Sequence, residues 1–378
     1  MDGLIVEEPT RRHRIASTRL HTSWRVLAQA ARGLLMQILA VQHALPSRRI
    51  TNADLLRSIR MANGGHIGES ELSLLERRVE QLLDIAGTVV RYALDEGEKA
   101  ITLSLDAARR ALHEANVSPA AVDFVIYAGV GRACIEPAMA NVVQSALGLR
   151  NATCFDVLDG CTSWLRALQI ADSFIGTQTY ATGLIVNCEC GFGQYIDHRV
   201  RHLEDLEWQF ATFTISEAAT ATVVSSTGQG HDFYFNFKNF GEHYGLCMIP
   251  LENAAEFLGD EQTNRAPMKL FSLSRQLLAT AADRIVEIFN ADPKFRGPFD
   301  VCFGHAASKR AEEGVLRRLG IPLEIYCGTH ATHGNTVSAA VPLATSLALQ
   351  EGRLKRGNKV LMITAAGGIA VGLARFTF

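Results

Sequence analysis

The sequence places one cysteine where its thiol is suited to act as a nucleophile. Cys161 follows a β-type run, Thr153 to Leu158, and a turn pair, Asp159-Gly160, and it precedes a segment that is apolar around most of a helix circumference. A helix of that kind is usually buried. Unpaired backbone N–H groups and the helix dipole favour thiolate over thiol at a helix start. This stretch alone leaves a structural cysteine as the alternative.

Two further side chains follow strand-like runs in the second half of the chain. His305 ends the run "PFDVCFGH", and Asn335 lies in the loop before the helical run "NTVSAAVPLATSLALQEG". Ligands of α/β sheets gather beyond the carboxyl ends of strands, where Cys161, His305 and Asn335 are all predicted to lie. Taken singly, a histidine after a strand is more often structural and Asn335 is typical of a helix cap. We interpret the three as one candidate site.

Strand-like and helix-like segments alternate throughout the chain, which predicts an α/β fold with a mostly parallel sheet. Met36 to Pro46 is a predicted strand, and Ala100 to Asn116 and Leu270 to Asn290 are predicted helices. We expect an exposed insertion from Gln194 to Gln209, and loops with short strands over 227–268. Cys161 begins a helix in the first half and Thr336 begins its counterpart in the second, which suggests a duplicated fold.

We predict three regions: an N-terminal extension over 1–35, a half carrying the nucleophile over 36–226, and a half carrying His305 and Asn335 over 227–378. The extension is arginine-rich from Thr10 to Arg32, which faintly resembles a transit peptide, but its acidic residues argue against one. We expect it to be loosely attached, or to result from a start codon placed too early.

Composition bounds the possible partners. The chain has 378 residues, 48% of them hydrophobic, and a formal charge of −2, which gives no support for a nucleic-acid partner. Its eight cysteines form no CxxC units, so we expect neither a metal site nor a disulfide framework, and reduced thiols in the cytoplasm. No apolar run is long enough to predict a membrane span.

In combination and order, these stretches resemble the thiolase superfamily, specifically its ketoacyl-acyl-carrier-protein synthase III branch. "DVLDGCTSWLRALQIADSFI" resembles the nucleophile segment of that branch, and "GHAASKR" is similar to its His segment. "HGNTVSAAVPLA" and "GRLKRGNKVLMITAAGGIAVGLARF" resemble its Asn loop and C-terminal strands. The resemblance runs from about Met36 to Phe378, and it implies a homodimer with a thiolase fold, a duplicated five-layered α-β-α-β-α architecture.

The resemblance also implies a chemistry. Cys161 takes an acyl group from a thioester, while its own backbone N–H and that of Gly368, in the Gly367-Gly368 loop, hold the oxyanion. Gly367 is a substrate-binding residue in this scheme. His305 and Asn335 donate hydrogen bonds to the carbonyl of a second thioester as it becomes enolate-like. No metal or redox cofactor is required, because coenzyme A or the phosphopantetheine of an acyl carrier protein carries the substrates.

The resemblance also implies roles for three other residues. Glu136, in "GRACIEPA", matches a Glu on a loop that reaches across the dimer interface, where it is taken as a base for condensing two acyl thioesters without decarboxylation; otherwise it is a helix-start Glu. Trp164 replaces the usual Phe, which predicts an altered acyl pocket. Arg310 matches an arginine near the tunnel mouth that suits a phosphopantetheine phosphate, or it is a surface arginine.

The chain also departs from the pattern of that branch. Its His segment usually reads Pro-His-Gln-Ala-Asn, whereas Gly304, Ala306 and Ser308 replace the Pro, the Gln and the Asn here. The hydrogen-bond partners of His305 must therefore differ. Residues 57–95 lack the Trp and Arg pattern that grips the adenine of coenzyme A, which leaves the carrier open.

Three functions remain as hypotheses. The first is a condensing enzyme that forms a 3-ketoacyl product, in specialised lipid-like or polyketide-like metabolism. The second is an acyltransferase of the same fold that passes the acyl group to an alcohol or amine. The third is a non-catalytic partner subunit, which the intact set of Cys161, His305 and Asn335 disfavours. The sequence does not fix the acyl chain length.

Overall fold

The computed structural model describes residues 35–226, 230–259, 265–305 and 307–378. The predicted extension, 1–35, lies outside the described residues except for Leu35. The strands are β1 Met36–Ala44, β2 Arg48–Thr51, β3 Val90–Ala93, β4 Phe124–Ala128, β5 Thr153–Val157, β6 Thr182–Glu189, β7 Ala218–Ser226, β8 Tyr234–His243, β9 Cys247–Met248, β10 Phe271–Ser272, β11 Val301–His305, β12 Tyr326–Cys327, β13 Lys359–Ala366 and β14 Gly368–Thr377. The α-helices are α1 Asn52–Asn63, α2 Glu69–Ala86, α3 Ala100–Glu114, α4 Met139–Leu147, α5 Ser163–Gly176, α6 Leu206–Gln209, α7 Ser274–Ala291, α8 Lys309–Leu319, α9 His330–His333 and α10 Ala340–Gln350.

Two five-stranded sheets form the framework. Their strand orders are β1-β7-β6-β4-β5 and β12-β11-β13-β14-β8. In the first sheet β4 pairs in parallel with β5 and β6, while β7 is antiparallel to β1 and β6. In the second, β11 is parallel to β12 and β13. The rest of the second sheet, β13-β14-β8, is antiparallel. Each sheet is therefore parallel on one side and antiparallel on the other, and the predicted mostly parallel sheet is wrong for half of the strand pairs.

The strands of both sheets are covered on both faces. In β4, Phe124 and Ile126 pack into one hydrophobic cluster while Val125 and Tyr127 pack into another on the opposite face, as the period of two requires. Helices α3 and α4 cover the outer face of the first sheet, and α7 and α8 cover the outer face of the second. Helices α5 and α10 lie between the two sheets. The predicted five-layered α-β-α-β-α architecture is confirmed.

The two central helices begin in the same way. A 3-10 turn, Gly160–Thr162, leads into α5, and a 3-10 turn, Val337–Ala339, leads into α10. This supports the predicted correspondence between the two halves. The Cys161 turn and the Asn335 loop consequently lie at the same ends of neighbouring buried helices.

Two predicted segments differ from the structure. The stretch Gln194 to Gln209 is not simply exposed, because Leu206 is buried and packs with α1 and α2 in one cluster. Residues 227–268 include β8, a ten-residue strand at the edge of the second sheet. The alternate aromatic residues Phe235 and Phe237 of β8 pack against the central cluster, a period-two signal that the sequence analysis missed.

Trp164 is part of the central core. Its exposed fraction is 1%, and its indole nitrogen donates a hydrogen bond of 3.0 Å to the Thr222 hydroxyl on β7. A buried indole N–H needs such a partner.

We expect Trp164→Phe to lower the free energy of unfolding by roughly 1–3 kcal/mol, because it leaves the Thr222 hydroxyl without its buried donor and opens a void. Urea unfolding measures the change. Trp208→Phe is the matched control, since Trp208 is only half-buried and its indole bonds Asp205 near the surface. Equal losses in both variants would contradict this role for Trp164.

Candidate active site

Cys161 is positioned by a tight turn between β5 and α5. Gly160 has a φ of +53°, in the left-handed region, and a Cβ there would lie 3.0 Å from the Cβ of Ala366. The backbone N–H of Asp159 donates to the Ser163 hydroxyl at 2.8 Å, and that hydroxyl donates to the Gly160 carbonyl at 2.7 Å. Hydrogen bonds of the Ser163 hydroxyl therefore stabilise the turn. Glycine is required at position 160 for both the conformation and the packing of the turn.

His305 is the last residue of β11. It is buried with an exposed fraction of 7%, and it pairs across the parallel ladder with Thr364 of β13. The next helix, α8, is capped by the Ser308 hydroxyl, which accepts from the backbone N–H of Ala311 at 3.4 Å. Burial lowers the pKa of His305 to about 4, so the imidazole is neutral at pH 7.

Asn335 is fixed by a segment from the first half of the chain. Its backbone N–H donates to the Thr214 carbonyl at 2.8 Å, and its carbonyl accepts from the Ser216 N–H at 2.9 Å. Its side-chain oxygen accepts from the backbone N–H of Val337 at 3.0 Å. Because that oxygen is engaged, the NH₂ group is the end of the amide available to a ligand oxygen.

The structure brings Cys161, His305, Asn335 and Gly367 to one cavity of about 330 Å³. The rest of its wall is mainly apolar. Helices α7 and α8 supply a run of aliphatic side chains on one side: Leu277, Leu278, Ala281, Ala282, Ile285, Ala311 and Val315. A pocket of this composition, with a few converging polar groups, suits an apolar ligand that carries one reactive polar end.

Four of the predicted site residues do not line this cavity: Trp164, Glu136, Arg310 and Gly368. Trp164 lies in the core, so the expectation that it shapes the acyl pocket is wrong for the wall described here. Glu136 and Arg310 are exposed. Gly368 starts β14 directly after the lining residue Gly367, so the predicted loop does reach the cavity.

The surroundings of Cys161 favour the neutral thiol, not the predicted thiolate. Burial, and to a smaller extent Cys247 and Glu189, raises the pKa of the Cys161 thiol well above its ordinary value, while a backbone hydrogen bond opposes the shift. Desolvation of the charged form therefore outweighs the helix start. The thiol and the imidazole of His305 are both neutral in the resting protein.

Sequence reasoning missed Cys247, which lines the same cavity as Cys161. It lies on β9, opposite Ser272 of β10, and burial raises its pKa as well. A Cβ on Gly367 would lie 3.1 Å from the Cys247 Cβ, so this glycine allows the two segments to approach. The sequence carries no signal for this placement, because Cys161 and Cys247 belong to different sheet systems.

It also missed Glu189, a fully buried carboxylate at the end of β6. Its oxygens accept from the backbone N–H groups of Val130 and Gly131, at 3.1 Å and 2.7 Å, and from the Ser338 hydroxyl. It thus ties the loop after β4 to the turn that follows Asn335. Burial raises the pKa of Glu189, and these hydrogen bonds oppose the shift.

Comparison with known proteins identifies the relatives of this architecture. Residues 298–378 match the family described as 3-oxoacyl-[acyl-carrier-protein] synthase III C terminal. Over 346 residues the chain is 29% identical to the beta-ketoacyl-[acyl-carrier-protein] synthase III of Paramagnetospirillum magneticum, covering 89% of this chain and 97% of the relative. It is 27% identical to the corresponding protein of Rhizorhabdus wittichii, with 90% and 98% covered.

Solved structures agree in fold. The 3-oxoacyl-[acyl-carrier-protein] synthase III of Aquifex aeolicus superposes with a TM-score of 0.74 at 23% identity, covering 91% of this chain and 100% of that one. OleA of Xanthomonas campestris, solved with lauric acid and lauroyl-CoA, gives 0.75 at 20% identity, with 91% and 99% covered. The predicted thiolase fold and the resemblance to the synthase III branch are confirmed.

Residues 35–226, 230–259, 265–305 and 307–378 contain no candidate membrane span and no candidate metal cluster. No helix in these ranges is long and apolar enough to cross a membrane. In the same ranges, no group of three or more His, Cys, Asp or Glu side chains is arranged to hold a metal ion.

The raised pKa of Cys161 predicts its reactivity. We expect the rate of Cys161 alkylation by iodoacetamide to keep rising as the pH passes 9, the ordinary pKa of a thiol, because the thiolate forms only above it. Peptide mass spectrometry reads the rate at this cysteine, with Cys161→Ser as the blank. A rate that already levels off in the acidic range would show instead that the helix start dominates.

Proposed function

We propose that this chain, a ketoacyl-acyl-carrier-protein synthase III-like protein with the thiolase fold, is a condensing enzyme that is acylated on Cys161 and forms a 3-ketoacyl product. One observation carries the proposal. Cys161 follows β5, His305 ends β11 and Asn335 lies between α9 and the turn into α10, yet the three line a single cavity whose other walls are mainly apolar. A nucleophile, two hydrogen-bond groups and room for an alkyl chain are what a Claisen condensation of thioesters requires.

In the first step the Cys161 sulfur attacks the carbonyl carbon of an acyl thioester. The Cys161 thiol loses its proton as the new carbon–sulfur bond forms, and the departing carrier thiolate takes up that proton, so the step needs no preformed thiolate on Cys161. The backbone N–H of Cys161 and one from the Gly367-Gly368 loop hold the oxyanion. The products are an acyl-enzyme and a free carrier thiol.

In the second step another thioester occupies the space beside the acyl-enzyme. An imidazole N–H of His305 and the NH₂ of Asn335 donate to its carbonyl oxygen as negative charge develops there. With a malonyl thioester, the bond to the carboxylate breaks and carbon dioxide leaves. The electron pair of that bond then forms the new carbon–carbon bond to the acyl group. Cys161 departs as a thiolate and takes up one proton from solvent.

The carrier is a phosphopantetheine thioester, either of coenzyme A or of an acyl carrier protein. Arg310 is exposed in the first turn of α8, next to the cavity residue Ala311. We assign it to pair with the phosphate of that carrier. The wide apolar wall and the altered residues around His305 favour a specialised lipid-like or polyketide-like substrate.

A second candidate is condensation of two acyl thioesters without decarboxylation, with Glu136 as the base. Glu136 and its neighbour Ile135 are exposed on the loop between β4 and α4, and neither lines this chain's own cavity. The first sheet ends in β5. A homodimer that continues the sheet at this edge would bring the loop to the partner's site. Absence of carbon dioxide from a ketoacyl-forming reaction would favour this candidate.

The deciding experiment measures the intact protein mass after incubation with acyl thioesters of increasing chain length. We expect wild type and Cys247→Ser to gain one acyl group, and Cys161→Ser to gain none. Cys247→Ser is a matched control because both thiols line the same cavity. A malonyl thioester added next should discharge the acyl-enzyme with release of carbon dioxide and a 3-ketoacyl product.

Two outcomes would overturn the proposal. Acylation of Cys161→Ser but not of Cys247→Ser would move the nucleophile to the other thiol. Acylation of wild type followed by transfer only to an alcohol or amine, with no ketoacyl product, would establish an acyltransferase instead.

The apolar wall of α7 predicts the chain-length preference. Ala281 lies on the cavity side of α7, and we expect Ala281→Phe to reduce acylation by a dodecanoyl thioester strongly while sparing an acetyl thioester, because the ring occupies the space of the longer chain. Competition between the two donors, read by protein mass, measures the change. Ala279→Phe, on the exposed side of the same helix, should leave the preference as in wild type.

A further inference from the structure

A second, small cavity lies against His305. It has a volume of about 30 Å³, and it is lined by Gly304, His305, Glu312, Tyr326 and four aliphatic side chains. His305 lines both this cavity and the larger one that contains Cys161. The small cavity holds one or two water molecules by volume, and its polar lining supplies the two to four partners that a buried water requires.

Glu312 and Tyr326 form a buried polar pair on this wall. Glu312 has an exposed fraction of 7%, although it lies in the first turn of α8. The Tyr326 hydroxyl is hydrogen-bonded to Glu312 and lies 3.4 Å from the Gly304 carbonyl oxygen. Burial, and then the charge of Glu312, raises the pKa of Tyr326 well above its ordinary value, so the phenol remains a donor.

Gly304 makes this arrangement possible. A Cβ at Gly304 would lie 3.2 Å from the Tyr326 ring and 3.3 Å from its hydroxyl. That separation is tighter than ordinary van der Waals contact, so a larger residue would push the phenol away from the strand. The glycine before His305 therefore admits the tyrosine that partners Glu312.

A neutral imidazole has one N–H donor and one acceptor nitrogen, and the partner of one nitrogen decides which is which. Burial keeps His305 neutral. Its tautomer is therefore set by the group that bonds the ring nitrogen on the side away from the substrate. A water that donates one hydrogen to the Glu312 carboxylate has its second hydrogen left to donate to a ring nitrogen. The other ring nitrogen then carries the N–H that condensation requires.

We propose that a buried water in this small cavity joins His305 to Glu312 and Tyr326, and that Glu312 is a positioning residue that fixes the His305 tautomer. Its catalytic consequence rests on the proposed condensing function. The presence of the water and the identity of the tautomer do not depend on that function.

The structural test uses a crystal structure that resolves ordered water, together with ¹⁵N NMR of histidine-labelled protein in which His305→Gln assigns the signal. In wild type we expect a water within hydrogen-bond distance of His305 and Glu312, and one imidazole tautomer. In Glu312→Leu we expect the water to be lost and the ¹⁵N shifts to move toward a mixture of tautomers. Glu313→Gln, whose carboxylate pairs at the surface with Lys309 and Arg317, should match wild type.

The kinetic test separates positioning from folding. Glu312→Leu should still accept an acyl group on Cys161, while kcat of condensation falls by roughly ten- to hundredfold with little change in KM. Tyr326→Phe should show a smaller effect in the same direction. An empty cavity in wild type, or unchanged ¹⁵N shifts and kcat in Glu312→Leu, would overturn the inference. If wild type is never acylated, the proposed function fails. The crystal structure and the ¹⁵N shifts then still test whether the water is present and whether Glu312 fixes the tautomer.

Discussion

The site depends on burying two helices between the two sheets. Helices α5 and α10 pack between the sheets, and their covered surface is the largest contiguous part of the core. Helix α10 is buried over most of its length, and α5 is partly exposed along the strip that carries Arg166, Gln169 and Ser173. The polar groups that the two helices bring to the site therefore lie at their N-terminal ends. The turns that begin α5 and α10 place Cys161 and the Asn335 loop there. The packing of these two helices in the core therefore also determines the geometry of the site.

Burial also sets the protonation states at the site. The same desolvation that makes the cavity suitable for an alkyl chain raises the pKa of Cys161 and lowers that of His305. A charged thiolate–imidazolium pair would need solvation that this apolar wall does not provide. A neutral thiol that loses its proton only during attack, beside a neutral imidazole that donates an N–H, is consistent with that wall. The high desolvation cost thus favours a reaction in which charge appears only where the N–H donors are aimed.

Much of this was readable in the sequence because it is periodic or local. The strands covered on both faces, the buried helix after Cys161 and the Asp159-Gly160 turn each leave a short-range signal, and they were predicted correctly. The position of Trp164 was misjudged because its neighbourhood is decided by the first sheet, through Thr222, and not by its own helix. Cys247 and Glu189 were missed for the same reason: their roles come from contacts between segments that are distant in sequence.

The altered residues around His305 show how such distant contacts compensate for one another. Gly304 has no side chain, and the space beside it is taken by the Tyr326 ring from the neighbouring strand β12. That phenol in turn gives the buried Glu312 on α8 a hydrogen-bond donor. Each of these residues is unfavourable or unremarkable alone. Together they place a carboxylate and a phenol in the small cavity that His305 also lines, so polar groups border the histidine through residues outside its own segment.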